Sequence, residues 1–113
     1  MPDPKEQFEE LVAGFADEPG VGLPGAGAPR RFGSDALTVD GSIFAMLMRG
    51  ELVVKVPRQR VAELIRQGTG RPFDSGKGTP MKEWVSLPES AGETWVELAE
   101  EAYTFVRSRP GRR

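Results

Sequence analysis

The chain has 113 residues, 38% of them hydrophobic, and carries a net charge of −2 from 15 basic and 17 acidic residues. That length is one domain, and the balanced charge lacks the basic excess of a dedicated nucleic-acid or membrane-surface binder. With no Cys and no His, disulfides, thiolate nucleophiles, Ser-His-Asp chemistry and the usual zinc sites are excluded.

The N-terminus, MPDPKEQFEELV, is acidic and has no apolar h-region, so it does not read as a signal peptide. Pro4 to Asp17 is predicted as a helix, with Phe8, Leu11, Val12 and Phe15 on one face, Asp3 as its cap and Pro4 at its first position. The Gly- and Pro-rich stretch that follows reads as a flexible loop over residues 19–29.

From Phe32 the period changes to two. Ala36 to Val39, the Asp40-Gly41 turn and Ser42 to Arg49 form a hairpin, because both central residues of a type I′ turn need positive φ. Gly50-Glu51 is the next expected turn, and Leu52 to Val56 a third strand. Arg31-Phe32-Gly33 is an expected edge strand before this meander. Pro57 is expected at the first position of a helix striped by Val61, Leu64 and Ile65 and stopped at Gly68. Trp84 to Leu87 reads as a strand. Ser90-Ala91-Gly92-Glu93 matches a capping box for a last helix striped by Trp95, Leu98, Ala99, Ala102, Phe105 and Val106. The tail, residues 107–113, is basic. The whole, residues 1–113, is expected to be a single α+β domain. An antiparallel sheet of four or five strands has the first and last helices on one face and a short middle helix at an end.

The stretch GTGRPFDSGKGTPMKEW invites a phosphate-binding reading, but five residues separate Gly70 from Gly76-Lys77, Gly78 follows, and a helix precedes it. Spacing and context both fail for a Walker loop. The glutamates of the outer helices fall off the apolar stripes and read as solvated faces. No pattern calls for a catalytic residue, a cofactor or a metal. Lys55 interrupts an apolar strand and shares a face with Val53, as a rim residue of a partly open sheet face. Met46 and Met48 are expected to share a face with Phe44, as core or as an apolar groove.

The stretch FGSDALTVDGSIFAMLMRGELVVKVP, then a short helix, PFDSGKGTPMKEW and a last amphipathic helix, resembles the N-terminal domain of the TfoX/Sxy family, over residues 32–106. The element order is similar to the related YjbR-like α+β fold. The resemblance implies a small cytoplasmic bacterial protein with a regulatory role linked to transcription or natural competence through a protein partner, and the lack of His, Cys and any catalytic constellation argues against an enzyme. Full-length regulators of the family carry a second, helical domain, so a chain of this length is expected to be a stand-alone member. No catalytic residue carries over from the family.

Three readings of function follow. The first is a protein-interaction module using Lys55, Lys77, Lys82 and Trp84, since an amphipathic aromatic beside cations makes an anchor. The second is direct nucleic-acid binding through Arg58, Arg60, Arg66, Arg71 and the Arg-rich tail. The third is a small-molecule binder, or an enzyme relying on Lys, carboxylate or Tyr103, at a groove near Phe44, Met46 and Trp84. Either a monomer or a homodimer paired through a sheet edge fits the sequence.

Overall fold

The structure, a computed structural model, describes residues 3–22, 36–73 and 82–108. Helix α1 spans Pro4–Phe15. The Asp3 carboxylate accepts the Glu6 N–H at 2.9 Å, and the Glu6 side chain reaches back to the Asp3 N–H. This reciprocal capping box satisfies two donors that a helix start leaves orphaned. Strands β1 (Val21–Gly22), β2 (Ala36–Val39), β3 (Ser42–Met48) and β4 (Glu51–Lys55) follow, then α2 (Arg58–Arg66), β5 (Arg71–Pro72), β6 (Trp84–Leu87), a 3-10 helix (Glu89–Thr94) and α3 (Trp95–Ser108). The strands form one antiparallel sheet in the order β1-β2-β3-β4-β6-β5.

Several expectations are corrected. The Gly/Pro-rich segment opens as a strand, with Val21 opposite Val39 and Gly22 opposite Thr38. An edge strand pairs on one side only, so poor strand formers are admitted there. The expected edge strand at 31–33 lies outside the described residues, as does the rest of that Gly/Pro segment. The β3–β4 turn is Arg49-Gly50, with φ of 52° and 80°, so Glu51 belongs to the strand. Pro57 stands before α2 as its N-cap. It keeps an extended ψ of 148°, which ends β4 and redirects the chain. Residues 89–94 form a 3-10 helix in which Ala91 departs from helical backbone, so the expected capping box at Ser90 is not the start of α3. With β1 and β5 the sheet has six strands among the described residues.

The face that meets the helices carries Leu37, Val39, Leu52, Val54, Val56, Val85 and Leu87, packed with buried residues of all three helices. α3 lies across β3 and β4, and α2 sits at the β5–β6 end. A β-bulge settles where the aromatic core forms. Leu37 pairs with Ala45 but Thr38 pairs with Ile43, leaving Phe44 as the extra residue. A bulge lets two successive side chains share one side. Phe44 and Ala45 are therefore both in the core, and Phe44 meets Phe15 at 5.2 Å and Tyr103 at 5.5 Å between ring centroids. The grouping of Phe44 with Met46 and Met48 is thus wrong. Those methionines fall on the opposite face with Val53 and Glu51.

α2 ends in a Schellman arrangement. Gly68, at φ 81°, donates to Ile65 O, and Thr69 donates to Leu64 O. The chain then passes β6 so closely that a Cβ added at Gly70 would stand 2.5 Å from Val85 Cγ2 and 3.5 Å from the Ser86 carbonyl oxygen. Gly70→Ala is expected to cost about 1–3 kcal/mol through overpacking, read as a lower urea midpoint.

Candidate functional site

Antiparallel pairing sets the end of β4 beside the start of β6, and Lys55 is the register partner of Trp84. Because Pro57 turns the chain out of β4, Arg58 opens α2 at the same corner. Lys82 comes two residues before β6. Lys55, Arg58, Lys82, Glu83 and Trp84 together line an open recess. Three cations face one carboxylate there, so the recess is net positive. The Lys55 ammonium lies 5.5 Å from the Trp84 ring centroid and 3.9 Å from Glu83 Oε1. A cation over an indole face is attracted by the ring quadrupole. Trp84 is half-buried, backed by Phe73 at 6.4 Å between centroids. The recess thus offers an anchored aromatic edge with positive charge around it.

Lys55, Lys82 and Trp84, selected from sequence, therefore meet at one place. Lys77 lies outside the described residues. Arg58 joins them, although the sequence reading set it with another group. The signal was available in Lys55-Val56-Pro57-Arg58, because a strand that ends at proline and turns into a helix folds its flanking cations to one corner.

The four arginines of the basic edge do not form one surface. Arg60 Nη1 lies 2.8 Å from Glu63 Oε1 and its Nε 3.0 Å from Glu101 Oε2. The hydrogen bond to Glu63 leads in raising the Arg60 pKa above its ordinary value; desolvation opposes it and Glu101 adds to the rise. Arg71 Nη2 lies 2.7 Å from Glu51 Oε2, on the sheet face away from the helices. Arg66 is exposed on the last turn of α2.

Tyr103 is buried between Phe15 and Phe44, and its hydroxyl donates to Pro19 O at 2.7 Å. Among the described residues no group of three or more Asp or Glu side chains could hold a metal ion. No described helix is long and apolar enough to cross a membrane.

The fold is an antiparallel α+β domain, six-stranded among the described residues, with a cationic, tryptophan-bearing corner. The sequence model of the TfoX N-terminal domain matches residues 24–106, and the chain belongs to that family. The comparison with curated proteins found no match, and the comparison with solved structures found none.

Proposed function

We propose that this domain is a non-enzymatic, cytoplasmic interaction module that holds an acidic segment of a protein partner at the corner formed by Lys55, Arg58, Lys82 and Trp84. Membership of the TfoX N-terminal domain family supports a regulatory setting linked to transcription or competence. The observation that carries the reading is that cations from β4, α2 and the turn before β6 line one recess with a half-buried indole, and Lys55 lies over its ring.

An acidic peptide suits this corner better than a nucleic acid does. A duplex or single strand is held by many phosphate contacts along a track. Here Arg60 and Arg71 are already paired with glutamates, and the net charge is −2.

Selection from a displayed random-peptide library tests the reading. The domain is expected to enrich sequences that combine Asp and Glu with an apolar anchor. Enrichment without acidic bias, or binding to oligonucleotides with a steep salt dependence and to no peptide, would remove it.

A further inference from the structure

The two ends of β4 carry different chemistry. At the Glu51 end, on the sheet face away from the helices, lies a cleft of about 260 Å³. A cavity of roughly 150 Å³ can hold a benzene ring, so this one has room for a ring and one substituent. Its apolar walls include Met48, Val53 and Phe73, and Arg49, Glu51 and Arg71 supply its charges.

Those charges are arranged. Glu51 Oε2 accepts from Arg71 Nη2 at 2.7 Å, and Oε1 accepts from the Ser86 hydroxyl at 2.5 Å. Both carboxylate oxygens are thereby occupied, and one guanidinium is neutralised. Arg49 has no ion-pair partner among the described residues. The balance of two arginines and one glutamate is one positive charge.

The position of Arg49 is a second, independent observation. It occupies the first central position of the β3–β4 turn at φ 52°. The matching position of the β2–β3 turn holds Asp40 at φ 51°, a residue type that tolerates left-handed backbone. Arginine does so less readily, and strained backbone of this kind gathers at ligand clamps.

We propose that this cleft binds a small monoanionic carboxylic acid with a single ring or short aliphatic body. The body lies against Val53, Met48 and Phe73, and the carboxylate meets Arg49 and the outer N–H groups of Arg71. Guanidinium recognises carboxylate through paired hydrogen bonds. A dianion is less suited, because Glu51 leaves only one net positive charge.

Sodium benzoate is the probe, titrated into the full chain and followed through amide resonances. Benzylamine serves as the cation of like shape, and inorganic phosphate as the anion without an apolar body. Benzoate is expected to shift the amides of residues 48–53, 71, 73 and 86, with a Kd of about 1 mM. Arg49→Gly suits the turn and should fold, and it is expected to weaken benzoate about tenfold. Benzylamine should shift none of these residues, and phosphate should bind more weakly than benzoate. The proposal is overturned if benzoate leaves these residues unmoved, or if Arg49→Gly binds it equally well. It also fails if benzylamine or phosphate binds as tightly as benzoate.

Discussion

Phe44→Ala is expected to destabilise the domain by about 3–5 kcal/mol, the range for removing a large aromatic from a sealed core. Phe44 is fully buried and touches two rings carried by different helices, Phe15 on α1 and Tyr103 on α3. Its removal takes away one contact shared by the sheet and both helices. Surrounding side chains cannot collapse into the space without moving a helix, and partial relaxation is what makes such cavities costly. A domain of this size has a total stability of roughly 5–15 kcal/mol, so the variant approaches the unfolding threshold. Met46→Ala is the control. Met46 lies two residues away on the same strand, on the far face and only partly buried. It is expected to cost clearly less. Equal losses in urea midpoint for the two variants would mean that the bulge does not divide the strand as described.

The second large effect is on binding. Reversing two charges at the recess, Lys55→Glu with Lys82→Glu, is expected to weaken an acidic peptide selected by the domain about a hundredfold, because attraction is replaced by like-charge contact. Stability is expected to change by no more than about 1 kcal/mol, since the Lys55–Glu83 pair is partly solvated. Titration calorimetry and urea unfolding on the same samples separate the two quantities. Retained affinity in a folded double variant would place the binding surface elsewhere.

Much of this was legible in the residues because local rules agreed with one another. Asp3, Pro4 and Glu6 announce the start of α1, Asp40-Gly41 announces its turn, and the helical stripes mark the buried positions. Lys55, Lys82 and Trp84 were legible because a cation interrupts an apolar strand and an amphipathic aromatic stands beside cations. What was missed depends on pairing. No local pattern marks Phe44 as an inserted residue, because a bulge is defined by the partner strand. Two-residue strands such as β1 and β5 have no period to detect. The pairing of Glu51 with Arg71 spans 20 positions in sequence and exists because β5 lies against β6. Tyr103 fell outside the expected stripe, yet it is buried because Phe15 and Phe44 reach it from two sides.

If recognition takes place at the Trp84 corner as proposed, the two tryptophans of the chain provide a built-in comparison. The Trp95 indole is buried in the core and donates to Pro88 O at 3.3 Å. The Trp84 indole lies in the recess beside Lys55. Titrating an acidic, library-selected peptide while following both indole N–H resonances should move the Trp84 signal in step with the Lys55, Arg58 and Lys82 amides, and leave Trp95 in place. Saturable binding with Trp84 unmoved, or with both indoles moving together, would contradict the assignment.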